Sequence, residues 1–422
     1  MITINDVKHD IRLQSISHIE NDYRAFVERG LNFDLSRGNP ATEQLELANG
    51  LLESIEPYGY KSEDGIDCRG YAGGVLGIAE ARRLFAPLLG ATQDRVMVAG
   101  NSSLTLMHDA LAFACLHGVP DGNEPWGRID NPITFLCPSP GYDRHFRICE
   151  ALKIKMVPVP MGPDGPDLDM VERLVADPSV KGMWCVPQYS NPTGITYSRV
   201  VVDRIAQMKT GASDFRVFWD NAYAVHDLTD IRQERVASLI DACDQSGYPN
   251  RPFVFASTSK ITLPGAGLAF FASSKTNLEW FSQHVGRQTI GPNKINQLQH
   301  VRFLGDARGI MAHMGRHRAI LQPKFDAVID TLEWHLSGKG VATWTRPLGG
   351  YFISVDILSG GARRVVALAL EAGIRLTPAG ATFPYGHDEA DKNLRIGPSG
   401  GTVDELELAA EGLSLAILLA AA

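Results

Sequence analysis

Residues 253–270 read FVFASTSKITLPGAGLAF. An aromatic and β-branched run ends in three small hydroxyl residues, Ser257, Thr258 and Ser259, and Lys260 stands between them and a glycine-containing turn. Such a run, closed by turn residues, predicts a buried strand whose carboxyl end delivers the lysine. Lys260 is then either a solvated loop cation, as most lysines are, or an amine held for covalent chemistry. The rest of the chain has to decide between the two.

Upstream, five further runs share this texture: DRVMVAG (94–100), ITFLCPSP (133–140), IKMVPVP (154–160), GMWCVPQ (182–188) and FRVFWD (215–220). Helical patterns separate them, an order that predicts βα units around a mostly parallel, buried sheet, hence an α/β fold. Ligand chemistry in such sheets gathers beyond the carboxyl ends of the strands. After residue 308 the pattern changes to a long helix, AHMGRHRAILQPKFDAVIDTLEWHLS (312–337), then ATWTRP (342–347) and GGYFISVDI (349–357), which read as a hairpin. The expected organisation is an N-terminal segment, 1–45, packing with the smaller domain or a partner subunit; a large domain, 46–308; and a smaller α+β domain, 309–422.

Composition sets the outer bounds. The 422 residues are 44% hydrophobic and 21% charged, as in globular proteins, and exceed one ordinary core. The net charge of −8 argues against nucleic acid or an anionic membrane as the main partner. No signal-peptide pattern or spanning apolar run is present, so a cytoplasmic location is expected. The six cysteines are scattered without a CxxC pair and read as buried thiols, and no histidine pair has zinc-ligand spacing near a carboxylate or cysteine, so no metal is expected.

Several predicted strand ends carry polar residues. Asp220 closes FRVFWD and precedes NAYAVHDL; as an isolated feature it could equally cap a helix. Asn191, Pro192, Thr193 and Gly194 lie in CVPQYSNPTGITYS, where a turn is the plain reading. Gly100, Asn101, Ser102 and Ser103 open an amphipathic helix, where free backbone N–H groups, hydroxyls and the helix dipole would together make an anion cup.

In this order, the glycine and hydroxyls at a helix start, Asn-Pro-Thr-Gly, Asp-x-x-Tyr and Ser-x-Ser-Lys resemble the class I and II aminotransferases among the pyridoxal-phosphate enzymes of fold type I. The resemblance runs from Gly38 to Arg395. It implies a large domain with a mostly parallel central sheet flanked by helices, a smaller α+β domain, and pyridoxal 5'-phosphate as cofactor. Lys260 would carry the cofactor as an internal aldimine and move the substrate's Cα proton; Asp220 would keep the ring nitrogen protonated; Asn191 and Tyr223 would hydrogen-bond its phenolic oxygen. Tyr142, in SPGYDRHF, matches the aromatic that stacks on the ring, and His145 the histidine behind the aspartate. The phosphate would be held near Asn101, Ser102 and Ser103, by Ser257, and by Tyr71 of RGYAGG reaching from a partner subunit. Where the family carries a phosphate-pairing arginine, this chain has Gly267; Lys294, in TIGPNKINQ, is the candidate replacement.

Arg395, in NLRIGPS, matches the arginine that clamps the substrate α-carboxylate, and Gly38, in SRGNP, the small residue lying along it. Arg37, Arg144 and Arg287 are candidates for a distal carboxylate. The resemblance implies a homodimer with shared active sites that moves an amino group between an L-amino acid and a 2-oxo acid by a ping-pong route. SRGNP and PGYDRHF are similar to a bacterial aspartate aminotransferase subgroup, which makes aspartate with 2-oxoglutarate the expected pair. Transamination of aromatic, kynurenine or neutral amino acids, or β-lyase or decarboxylase chemistry, stays open on the same scaffold.

Overall fold

A computed structural model describes residues 17–55, 59–231 and 235–422. The first sixteen residues of the expected N-terminal segment therefore lie outside the described residues. All six apolar runs are strands of one sheet: β2 (Val96–Val98), β3 (Thr134–Ser139), β4 (Lys155–Gly162), β6 (Val180–Cys185), β7 (Arg216–Asp220) and β8 (Pro252–Ser257). With β5 (Gly165–Pro166) and β9 (Ala269–Ala272), the spatial order is β2-β9-β8-β7-β6-β3-β4-β5. Strands β8, β7, β6, β3 and β4 pair in parallel, whereas β9 runs antiparallel between β8 and β2.

Every residue of β3 and β7 is buried, because helices cover both faces. Strands buried on both sides read as unbroken apolar runs rather than alternating ones, which is why these were visible in the sequence. On one face Phe135, Phe218, Phe253, Phe271 and Phe281 pack with the helix Ser103–His117. On the other, Phe85, Ile205, Leu239 and Phe270 belong to a second apolar cluster.

A smaller antiparallel sheet contains β10 (Ala342–Trp344), β11 (Ile353–Ile357) and β13 (Asn393–Ile396), in the order β10-β11-β13. A third apolar cluster joins it to the helices Ala362–Glu371 and Val403–Ala421. The segment β1 (Phe33–Asp34) pairs in parallel with β12 (Ile374–Arg375), and Tyr23 donates to Leu368 O at 2.8 Å, so the N-terminal residues described here pack on the C-terminal part. The helix Ala307–Leu336 joins the two bodies. Ile310 and Met314 enter a core of the larger sheet, while Leu321, Phe325 and Leu332 enter the core of the smaller.

The parallel sheet positions the site. Strands β2, β3, β6, β7 and β8 point the same way, so Ser102, Tyr142, Asn191, Asp220 and Lys260 all follow or close strands at one edge. The smaller sheet closes over that edge, placing Arg395 of β13 against the same cleft.

Candidate active site

A cleft of about 790 Å³ lies between the two sheets. Its walls include Ser102, Ser103, Tyr142, Asn191, Asp220, Tyr223, Ser257, Lys260, Gly38 and Arg395, so most of the residues expected from sequence meet here.

Asp220 ends β7 and is 3% exposed. Its Oδ2 lies 3.1 Å from His145 Nε2, and the His145 ring is stacked on Trp184 with centroids 4.3 Å apart. Packing thus fixes the histidine, and the histidine fixes the carboxylate. The other oxygen, Oδ1, is buried and has no hydrogen-bond partner. Leaving a buried acceptor unmade costs about 1–3 kcal/mol, so this atom calls for a donor from a bound group. Lys260 lies beyond the end of the neighbouring strand; burial lowers its pKa from the ordinary lysine value, with the Asp220 charge opposing the shift. Its Nζ stands 5.2 Å from the Tyr223 ring centroid and 6.0 Å from that of Tyr351. Burial pushes the Tyr223 and Tyr142 phenols up, so both stay protonated and able to donate.

At the opposite end of this row, Ser102 is the N-cap of the helix Ser103–His117 without making a side-chain cap bond. The first-turn N–H groups of a helix have no intrahelical partner, and the hydroxyls of Ser102 and Ser103 stand beside them on the cleft wall. Ser257 Oγ donates to Ser259 Oγ at 3.0 Å, and Ser259 Oγ to Asn101 O at 3.2 Å. The Asn101 side chain does not line the cleft but donates to Pro264 O at 3.0 Å, tying the lysine loop to the cup. At Gly267 a Cβ would stand 3.0 Å from Thr258 Oγ1 and 3.1 Å from Leu263 O, so this turn leaves little room for any side chain.

Arg395 is 8% exposed and its Nη1 donates to Asp143 Oδ1 at 2.9 Å and to Asn191 Oδ1 at 3.3 Å, with the guanidinium 4.9 Å from the Phe352 ring centroid. Asp143 was not among the expected residues; only the folded chain brings it to Arg395. Gly38 has a packing reason to be glycine. A Cβ there would meet Phe352 Cζ at 2.7 Å and Tyr351 Cβ at 2.9 Å.

Arg37 and Arg144 line the cleft, and so do Arg147 and Arg375, which sequence reading did not single out. Arg147 Nη2 lies 3.9 Å from Asp143 Oδ2, and Arg375 Nη1 lies 3.7 Å from Asp34 Oδ2. No local pattern marks these two; they sit on a helix face and a two-residue strand that only tertiary pairing aims inward. Three other expected residues are not brought to this cleft. Arg287 is exposed and contacts His284 Nδ1 at 2.9 Å. Tyr71 is 78% exposed. Lys294 is 4% exposed and packs against Gly73 and Gly291.

A family model described as aspartate amino-transferase matches residues 9–422. The chain belongs to the aspartate amino-transferase family. An aspartate aminotransferase of Corynebacterium glutamicum is 47% identical over 404 residues, covering 96% of this chain and 93% of that one. The crystal structure of an aspartate transaminase from the same species superposes with a TM-score of 0.94 at 46% identity, covering 97% of this chain and 96% of that one. The alpha-aminoadipate aminotransferase LysN of Thermus thermophilus, complexed with N-(5'-phosphopyridoxyl)-L-leucine, superposes with a TM-score of 0.74 over 93% of this chain and 94% of that one; at 21% identity it shows the shared fold. This aminotransferase thus has the fold type I architecture expected from the sequence, with its mostly parallel central sheet. No helix among the described residues is long and apolar enough to cross a membrane.

Proposed function

We propose that this aminotransferase binds pyridoxal 5'-phosphate at Lys260 and moves an amino group between aspartate and 2-oxoglutarate by a ping-pong exchange. The observation that carries the reading is the buried, unpartnered Oδ1 of Asp220 in the same cleft as a lysine whose pKa burial depresses. A protonated pyridine nitrogen is the donor that oxygen lacks. When bound, the cofactor supplies an electron sink for the pair left at the substrate Cα.

The chain's own groups supply the rest. Lys260, whose lowered pKa makes a neutral amine more accessible, takes and returns the Cα proton. Tyr223 and Asn191 hold the phenolic oxygen, Tyr142 stacks on the ring, and His145 orients Asp220. The helix start at Ser102 and Ser103, together with Ser257, receives the phosphate. Arg395 grips the substrate α-carboxylate through its planar fork, with Asp143 and Asn191 holding the guanidinium in position. Arg37 and Arg144 offer charge for a distal carboxylate, and Arg147 and Arg375 add to the same wall.

The exposed Tyr71 and Arg287 fit service in a partner's site, whereas the buried Lys294 does not, so a homodimer with shared sites is part of the proposal. So are a cytoplasmic location and the division into 1–45, 46–308 and 309–422, with the helix Ala307–Leu336 as the connecting rod. The test is a panel of half-reactions: purified, cofactor-loaded protein is mixed with single amino acids and the cofactor's visible absorbance is followed. Fast conversion by aspartate and glutamate, but not by alanine, phenylalanine or kynurenine, supports the dicarboxylate assignment; preference for an uncharged side chain overturns it.

A further inference from the structure

The loop that carries Lys260 is gripped from below by histidines that no step above uses. His226 Nε2 lies 3.2 Å from the carbonyl oxygen of Lys260 itself. The carbonyl oxygen of Ile261, the next residue, is met twice: by His313 Nε2 at 2.6 Å and by His317 Nε2 at 3.0 Å. His313 and His317 lie one turn apart on the helix Ala307–Leu336, whereas His226 lies beyond the end of β7. All three rings are buried.

Their partners settle which ring nitrogens carry protons. Arg316 Nη2 lies 2.8 Å from His313 Nδ1, and a guanidinium can only donate, so Nδ1 accepts and Nε2 carries the hydrogen toward Ile261. Gln44 Oε1 accepts from Ala41 N at 3.1 Å, which identifies the amide nitrogen as the atom 3.0 Å from His317 Nδ1. That ring too donates through Nε2. Two N–H groups therefore converge on the two lone pairs of one carbonyl, each imidazole held neutral by a donor at its back. The same Gln44 amide donates to Tyr351 Oη at 2.9 Å, and the Tyr351 ring faces Lys260 Nζ. A buried carbonyl needs one donor to be satisfied; supplying two to Ile261, through side chains of the helix that joins the two sheets, goes beyond that need.

We infer that His226, His313 and His317 are positioning residues, a clamp of neutral imidazoles that fixes the Lys260–Ile261 peptides so that the lysine amine returns to one place in each catalytic cycle. This rests on Lys260 being the cofactor-bearing lysine. The clamp also makes the lysine's position depend on the helix that joins the two sheets, so closure around a substrate and placement of the amine are set by one element.

The test uses the cofactor-loaded enzyme with His317→Leu and His317→Gln, the amide of glutamine keeping an N–H donor near the place of Nε2. The leucine variant should lose kcat by about tenfold or more with KM changed by less than about threefold, because misplacing a catalytic group slows chemistry without weakening substrate binding. Its bound cofactor should show a shifted visible absorbance maximum, and the glutamine variant should recover most of the loss. A leucine variant with wild-type absorbance and kcat within about twofold overturns the clamp, as does a glutamine variant that loses as much as leucine, since packing alone would then be at stake. If His317→Leu does not fold, His226→Leu and His226→Gln carry the same outcomes on the Lys260 carbonyl. Lys260→Ala is the control for the underlying reading: if it keeps the lysine-linked absorbance, that reading fails, whereas its loss beside unaltered histidine variants removes the clamp alone.

Discussion

At the scale of single residues the site is built on an asymmetry within one side chain. Asp220 gives one oxygen to His145 and keeps the other buried and unmet. Replacing it with asparagine preserves shape but removes the charge that would hold a pyridine nitrogen protonated. An adjacent opposite charge shifts a pKa by about 1–3 units, so Asp220→Asn should lower kcat by about 10- to 1,000-fold. Thermal unfolding of the cofactor-free protein should change little, because there the carboxylate has no hydrogen-bond partner besides His145 to lose. Steady-state kinetics and a melting curve check both halves; near wild-type kcat would contradict the role. Lys260, Asp220, Asn191 and Arg395 were legible in the sequence because each sits in a short motif at a strand end or strand centre. Asp143, Arg147 and Arg375 were not, since their roles come from neighbours far away along the chain.

At the scale of elements, the strands of the larger sheet were legible for a physical reason: burial on both faces leaves continuous apolar runs. Strand β9 was not. Its residues, Ala269–Ala272, follow the lysine loop with only a three-residue 3-10 turn, Pro264–Ala266, between, and such a short connection yields an antiparallel neighbour rather than another βα unit. The contact of Gly38 with Phe352 shows how closely the N-terminal segment meets the smaller sheet. Gly38→Ala should displace Phe352 from beneath Arg395, costing about 1–3 kcal/mol of stability by overpacking and raising KM for the amino acid. An unchanged melting temperature and KM would contradict this. The histidines around the lysine loop set an acid limit. Burial lowers His226 from 6.5 to about 3, and lowers both His317 and His300, whose Nε2 lies 2.9 Å from Thr262 Oγ1 in the lysine loop, from 6.5 to about 4. Between those values the unfolded chain binds protons that the folded protein refuses, so stability falls as pH drops from about 6.5 toward 4. Urea unfolding at stepped pH should show that decline, and His226→Gln should make it shallower. A flat profile would show that the rings gain protons without cost.

At the scale of the whole molecule, one chain supplies most of the cleft, while Tyr71 stands exposed outside it. If Tyr71 serves the partner's phosphate cup, a Lys260→Ala chain and a Tyr71→Ala chain should complement each other. In a mixed dimer one site would carry both defects and the other neither, so random reassortment should restore roughly a quarter of wild-type activity. Absence of recovery would place Tyr71 outside the shared site. A second, smaller body was expected from the change of pattern after residue 308, but that its first helix enters both cores and grips the lysine loop was not legible, because the histidines lie far from Lys260 in sequence. The measurement that bears most directly on all of this is hydride reduction of the holoprotein followed by peptide mass analysis. A phosphopyridoxyl group on Lys260 is the predicted result; an unmodified Lys260, or the label on another side chain, would contradict the assignment of the site.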